Sequence, residues 1–421
     1  MISAGSKPIS ELNAEIYLVG GAVRDELLGL TPKERDWVVV GSKPEDLLAR
    51  GFRQVGASFP VFLHPDSGEE YALARTERKQ GHGYHGFTVD FHPGVTLEED
   101  LARRDLTINA IAKDADGGLV DPFGGQRDLQ SRTLRHVSEA FSEDPLRVLR
   151  VARFAARFAP LGFTVHPSTL ALMQEMVTSG ELAHLVPERV WAEIEKAMSA
   201  AQPAVFIEVL RACGALAAIL PEVDCLFGVP QPARYHPEVD TGIHVLMSMN
   251  QAAAMGASAE VVFSLLLHDL GKGLTPESLL PSHTGHEKSG VPLVDAVCTR
   301  LCAPGAYRDL ALKVCELHLR CHRLLEARPS TVMKLIEDAD LLRRPERVDA
   351  FVLACEADYR GREGMVGRSY PQGDRLRSAL RAVLAIRARD LDTEGLDGKE
   401  IGERLRQARI SAIAGTGDPA A

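Results

Sequence analysis

A short apolar run, Ile16-Tyr17-Leu18-Val19, stops at Gly20-Gly21, and residues 22–28 continue with helical spacing. Glu34-Arg35-Asp36 then leads into a second apolar run, residues 37–40. No other stretch of the chain limits its fold as tightly. The two runs read as buried strands. The glycines between the first strand and its helix leave backbone N–H groups free to hold phosphate, and Arg24 in the first helical turn adds a cation. Residues two apart on a strand share a face, so Glu34 and Asp36 project together while Arg35 points away. Such a carboxylate pair can hold Mg²⁺. Metal-assisted nucleotidyl transfer needs the phosphate turn and the metal pair close together.

Neither G-x-G-x-x-G nor G-x-x-x-x-G-K-[ST] occurs in this stretch, which sets aside a Rossmann fingerprint and a P-loop. The order strand, Gly-Gly, Arg, acid-x-acid, strand resembles the signature of the polymerase-β-like nucleotidyltransferase superfamily.

At 421 residues the chain is too long for one ordinary core and implies several domains. Its composition is that of a soluble globular protein. The first residues, MISAGSKPISELNAE, have no apolar segment of the kind that targets secretion, and no later run reaches the ~20 apolar residues of a membrane span. The longest apolar stretch, residues 261–267, reads as a core helix. Seven cysteines without a C-x-x-C pair point to a reduced, cytoplasmic setting, and Cys298 and Cys302 are expected on one buried helix face. A formal net charge of −10 argues against a generic nucleic-acid coat and leaves room only for a local basic face.

Up to about residue 137 the signals are short β-like runs, among them residues 61–63, 71–75, 87–91 and 119–120. Beyond Ser142 they are helical segments of 3.6 period, broken at Pro167, Pro187, Pro203, Pro221 and around Pro230–Pro237. The expected class is therefore α+β: a mixed-sheet head followed by an all-helical remainder. Residues 75–86 read as a basic, glycine-rich loop able to close over phosphates. In residues 101–112, Leu106, Ile108 and Ile111 form an apolar side and leave Arg103, Arg104 and Asp105 at the start of a helix. There Arg104 can grip phosphate or sugar oxygens and Asp105 can accept from ribose hydroxyls. Ser142 is placed to cap the next helix, on which Arg147, Arg150, Arg153 and Arg157 form one stripe, with Asp144 one turn ahead of Arg147. An Asp–Arg pair offers fixed acceptors and donors that could read a Watson–Crick edge.

Further on, His268-Asp269 ends the apolar helix, with His244 one helix earlier; this resembles the HD phosphohydrolase motif. Imidazole nitrogen and carboxylate oxygen suit a divalent metal. His244, His268 and Asp269 are the leading ligands; His283, His286, His318 and His322 follow. The remaining carboxylate is not evident, with Asp309 as a candidate. From about residue 343 the chain is helical and carries Arg375, Arg377, Arg381, Arg387 and Arg389 without interleaved aromatics, which suits duplex backbone contact better than base stacking.

Taken together, YLVGGAVRDELLG, ERDWVVVG, LARRDLTINAIA, EDPLRVLRVARF, VPERVWAEIEKAM and LLLHDLGKG make the sequence similar to bacterial class II tRNA nucleotidyltransferases of the multifunctional, HD-containing kind, from about Ile16 to about Ile413. The resemblance implies a nucleotidyltransferase head (residues 1–141), a helical neck and body (142–235), an HD domain (236–342) and a helical tRNA-binding region (343–421). It implies triphosphate binding at Gly21 and Arg24, catalytic Mg²⁺ at Glu34 and Asp36, and ribose sensing at Arg104 and Asp105. Base choice falls on Asp144 and Arg147, and further nucleotide contact on Arg150 and Arg153. The HD site, with His268 and Asp269 catalytic, implies a second divalent metal, Ni²⁺ by preference. It also implies phosphatase, 2′-nucleotidase and 2′,3′-cyclic phosphodiesterase activities. Expected partners are tRNA, CTP and ATP, with no membrane, in a monomer or homodimer. Glu34 departs from the family, which usually has Asp at both head metal positions. A poly(A) polymerase of the same superfamily, or an HD phosphohydrolase with an impaired head, are the alternatives.

Overall fold

A computed structural model describes residues 14–55, 61–79, 87–392 and 394–416. It divides into two compact units, Met1–Val186 with Ala212–Ala215, and Pro187–Arg211 with Leu216–Ala421.

The first unit is built on a mixed sheet. Its strands are β1 (Glu15–Val19), β2 (Asp36–Val40), β3 (Arg53–Val55), β4 (Val61–Leu63), β5 (Glu70–Leu73), β8 (Ala112–Lys113) and β9 (Leu119–Val120), while β6 (Thr76–Lys79) and β7 (Phe87–Asp90) form a separate hairpin. The sheet order is β3-β4-β5-β2-β1-β8-β9, with β2 parallel to β5 and the other pairs antiparallel. Alternation along β2 sends Val38 into one core, with Val19, Leu101 and Ala112, and Val39 into the other, with Phe52, Phe62 and Tyr71. Register follows from this. A one-residue slip would put both valines on the wrong face, so Asp36 is held opposite Val19, beside the glycine turn. The seven residues of Gly21–Leu27 form the following helix. Most of the loop over residues 75–86 lies outside the described residues.

Two helix boundaries differ from the sequence expectation. Thr96 and Glu99 form a capping box that starts a helix at Leu97, and this helix ends at Ala102 with Arg103 as its cap. Arg103-Arg104-Asp105 therefore leave a helix C-terminus rather than opening one, and a 3₁₀ turn, Thr107–Asn109, follows. Ser142 does not cap the arginine-bearing helix. It sits in a 3₁₀ segment, Glu139–Glu143, and its hydroxyl donates to the Glu139 carbonyl. Asp144 takes over the capping by accepting from the Leu146 N–H, and the helix runs Leu146–Phe158.

The second unit is helical throughout its described residues. Its centre is Ala259–Leu267, in which residues 261–267 are all buried. Thr241–Ala254, Gly305–His322 and Val348–Arg360 pack around it. Trp191, on Pro187–Met198, meets Phe263 and Tyr307 edge-on at 5.0 and 4.9 Å. All seven cysteines are free thiols. Cys298 is buried as expected, but Cys302 is exposed, because its helix ends at Arg300 and the chain turns away through a positive φ of 53° at Cys302. No described helix is long and apolar enough to cross a membrane.

Candidate functional site

In the first unit the glycine turn is flanked by two guanidiniums. A Cβ on Gly20 would meet Arg104 Nη1 at 2.8 Å, and one on Gly21 would lie 3.5 Å from Arg24 Nη2. Gly20 has φ of 69°, a left-handed conformation that favours glycine there. Glu34 and Asp36 are both exposed on the approach to β2. The Asp36 pKa is raised, first by partial withdrawal from water; Arg104 pulls it down and Glu34 pushes it up. Two neighbouring carboxylates beside open solvent, one of them pressed toward its protonated form by the other, form a fitting half-site for a cation.

Arg24 is less available than its place in the sequence implies. It is 3% exposed; Nε donates to Asp25 Oδ1 at 2.8 Å and Nη1 to Asn109 Oδ1 at 2.6 Å. The Phe154 and Phe158 rings lie 5.1 and 5.0 Å from its guanidinium. Burial lowers its pKa, against the attraction of Asp25. Asn109, which sequence reasoning left without a role, also donates through Nδ2 to Asp105 Oδ1 at 2.9 Å. Arg150 completes the chain by donating to Asp105 Oδ2 at 2.8 Å. Burial pushes the Asp105 carboxyl up, but Arg150 and Asn109 outweigh it and hold it well below the usual range.

The arginine stripe is thus not an open face. Arg147 donates to the carbonyls of Ala140 and Arg103 at 2.6 and 2.5 Å, and Arg157 pairs with Asp25 at 2.8 Å. Arg153 lies 4.1 Å from the Phe154 ring. Arg104 is braced by Asp100, which also takes Arg103. The signal for these partners was present, since Asp25 and Asn109 lie inside the recognised motifs, but nothing local tells which acid meets which arginine.

The second unit holds a buried cluster of imidazoles and carboxylates. Asp269 lies at its middle: Oδ2 is 3.2 Å from His268 Nε2, and Oδ1 is 3.2 Å from His286 Nε2 and 3.8 Å from His318 Nε2. Asp358, on Val348–Arg360, is 3.0 Å from His244 Nε2 and 2.6 Å from His322 Nε2. It is the carboxylate the sequence did not reveal. Asp309 is not: it pairs with Arg344 and Arg347 at 3.1 and 3.2 Å. Three ligand sets result among the described residues: His244–His268–Asp358 and Asp269–His286–His318, all six residues buried, and the less buried His236–Glu238–His244. Glu238 and His236 back them, with Glu238 Oε1 2.9 Å from His244 Nδ1. His283 instead bonds Thr275 and the Pro230 carbonyl.

The chemistry of this donor set fits a divalent metal. His268 Nε2, His286 Nε2 and Asp269 Oδ1 are buried without hydrogen-bond partners among the described residues, an arrangement that is costly unless a cation takes them up. Three imidazole nitrogens, His268 Nδ1, His286 Nδ1 and His318 Nδ1, bond backbone carbonyls and so turn Nε2 inward.

These groups make stability pH-dependent in a defined direction. Burial lowers His236 to about 4 and His318 to about 3 from 6.5, so the unfolded chain takes up these protons first as pH falls. Stability is lost from about pH 6.5 downward. The depressed carboxyls of Asp269 and Asp358 continue the loss below their unfolded value of 3.8, while the raised His268 opposes it. The thermal midpoint of the metal-free protein, followed by circular dichroism, is expected to be lower at about pH 5 than at about pH 7.5. An equal or higher midpoint contradicts the assignment of neutral imidazoles.

Known proteins resemble this chain along most of its length. Residues 16–135 match the poly A polymerase head domain, 162–226 a probable RNA and SrmB-binding site of polymerase A, and 241–344 the HD domain. The Multifunctional CCA protein of Thioalkalivibrio sulfidiphilus is 61% identical, over 94% of this chain and 97% of its own length. That of Nitrosococcus oceani is 60% identical, over 95% and 98%. Among solved structures, the Bacillus stearothermophilus CCA-adding enzyme in complex with CTP superposes with a TM-score of 0.66 at 24% identity, covering 97% of this chain and 90% of that one. The Thermotoga maritima CCA-adding enzyme complexed with tRNA gives 0.62 at 20% identity, covering 96% and 88%. Asp358 lies beyond the matched HD segment, which is why the motif alone does not reach it.

Proposed function

The chain belongs to the multifunctional CCA proteins, tRNA nucleotidyltransferases that carry an HD domain, and from that membership we propose a division of labour among its residues. The substrates are tRNA, CTP and ATP. The tRNA 3′-hydroxyl oxygen gives up its proton and bonds the α-phosphorus, the bond from that phosphorus to the β-phosphate bridging oxygen breaks, and pyrophosphate leaves. The observation that carries this reading is the seating of Asp36 opposite Val19, with Arg104 against Gly20.

Gly20, Gly21, Arg24 and Arg104 receive the triphosphate. Glu34 and Asp36 would hold Mg²⁺, which when bound activates the attacking oxygen and steadies the leaving phosphates as a two-metal pair. Arg104 and Asp105 sense the ribose; the Asp105 carboxylate accepts from Leu106, Asn109 and both Nε and Nη2 of Arg150, so a ribose hydroxyl would take the place of one of these bonds. Asp144 and Arg147 present the donors and acceptors that select cytosine and then adenine. The carbonyls of Ala140 and Arg103 immobilise the Arg147 plane, which favours a fixed pattern over a mobile charge. Arg150 and Arg153 contribute further nucleotide contact. Residues 142–235 and 343–421 serve base and tRNA recognition in this scheme. The arginines of the last segment are partly committed internally, Arg377 to Asp349 and Arg375 to Thr416.

The HD cluster acts as a divalent-metal phosphohydrolase with phosphatase, 2′-nucleotidase and 2′,3′-cyclic phosphodiesterase activity. His244, His268, Asp269 and Asp358 would hold the metal, with His286 and His318 on the other side of Asp269. Ni²⁺ suits the imidazole-rich set.

A tRNA lacking its 3′ CCA, incubated with CTP alone, is expected to gain C-C and stop. With both nucleotides it gains C-C-A and stops. A long A tract would favour the poly(A) polymerase reading, and no product would favour an impaired head.

A further inference from the structure

The HD cluster is rich in metal ligands and poor in free cations. Lys272, its nearest ammonium, is buried and committed to Asp269 Oδ2 at 2.6 Å and to Gln231 Oε1 at 2.5 Å. A second cation stands over the same cluster. Arg362 follows Val348–Arg360, and its Nη2 lies 3.8 Å from Asp358 Oδ1. That separation is too long for a hydrogen bond. Asp358 already accepts from His322 and His244, so the guanidinium is aimed at the site without being consumed by it. Its Nε is buried and has no hydrogen-bond partner among the described residues.

The position is built. A Cβ on Gly361 would meet the N, Cα and Oγ of Ser248 at 2.6–2.8 Å, so the turn is pressed onto the helix that carries His244. On the other side, Glu363 N donates to Glu238 Oε2 at 3.3 Å, tying the turn to the carboxylate that backs His244. Tyr359 lies 5.6 Å from the guanidinium and limits its swing.

We infer that Arg362 is the phosphate-binding residue of the HD centre, gripping the non-bridging oxygens of a phosphate monoester or a cyclic phosphodiester while the imidazoles and carboxylates hold the metal. The planar fork suits two such oxygens, and a buried unpaired N–H gains most from an anionic acceptor. No bond is made or broken by Arg362 itself. The inference rests on the phosphohydrolase reading of the cluster.

The test uses the full chain loaded with Ni²⁺, as wild type, Arg362→Gln and Arg362→Lys, with thermal melting to check folding. Three quantities are read: Ni²⁺ affinity by calorimetry, KM and kcat for 2′-AMP hydrolysis, and the inhibition constant of inorganic phosphate. For Arg362→Gln, KM and the phosphate inhibition constant should both rise by about 10- to 100-fold while Ni²⁺ affinity stays within about twofold. Arg362→Lys should recover part of the loss. Weaker Ni²⁺ binding with unchanged KM would make Arg362 a mere counter-charge to Asp358, and unchanged constants throughout would overturn the assignment outright. Failure of the phosphohydrolase reading looks different: the wild type would not hydrolyse 2′-AMP. Binding of inorganic phosphate to the Ni²⁺-loaded wild type, measured directly and lost in Arg362→Gln, would even then uphold the anion site, and its absence would overturn it.

Discussion

Asp36→Ala is expected to lower CTP incorporation into a tRNA lacking its 3′ end by ~10³-fold, with CTP binding weakened far less. The residue is exposed at the first position of β2, and buried Val38 and Val39 hold the strand in register from either face. Removing the carboxylate therefore deletes a charge without shifting Val19 or the glycine turn. Its raised pKa fits a carboxyl whose ionised form awaits a cation more than Arg104 alone supplies. Glu34→Asp is the informative companion. Glu34 lies just before the strand, where the backbone is not fixed by pairing. One methylene moves a carboxylate by about 1 Å, a misplacement that can cost about 100-fold on a rigid element. A loop absorbs much of it, so Glu34→Asp should raise the rate only modestly. Full activity in Asp36→Ala, measured by single-nucleotide extension, would show the metal-pair assignment to be wrong.

What could be read from the chain, and what could not, separates along a physical line. Local pattern carried the strands around Gly20-Gly21, the switch from a mixed sheet to helices, and the buried helix ending at His268-Asp269, because each is decided by residues near in sequence. Helix ends were less legible. Ser142 has the chemistry of a cap, yet Asp144 holds that role because Ser142 lies inside the 3₁₀ segment Glu139–Glu143 with its hydroxyl on the Glu139 carbonyl. The arginine stripe was visible, but its periodicity says nothing of partners 45 and 132 residues away, Asp105 and Asp25. Asp358 is the clearest case. It sits in an ordinary amphipathic helix, 114 residues from His244, and only packing of that helix against Thr241–Ala254 brings the two within 3.0 Å. Asp309 is nearer in sequence but is not a ligand, because Arg344 and Arg347 occupy it.

Asp358→Asn is expected to weaken Ni²⁺ binding by ~100-fold or more and to remove 2′-nucleotidase activity to a similar extent, with C-C-A addition retained. The substitution keeps shape and hydrogen-bonding reach but removes the anion that His244, His268 and His322 converge upon. An amide is a far poorer ligand than a carboxylate for this kind of centre, and its NH₂ would face imidazole nitrogens that need an acceptor or a metal. Asp269→Ala should be as severe, because it deletes the only carboxylate of the Asp269–His286–His318 set. Asp309→Asn, by contrast, should leave Ni²⁺ affinity unchanged, since that carboxylate serves only the Arg344 and Arg347 ion pairs. The contrast isolates the site from general destabilisation: all three remove a paired carboxylate, but only two should weaken calorimetric Ni²⁺ binding. Equal affinity in Asp358→Asn and wild type would mean that the metal is held by Asp269, His286 and His318 alone. Asp358 would then be only the acceptor that orients His244 and His322.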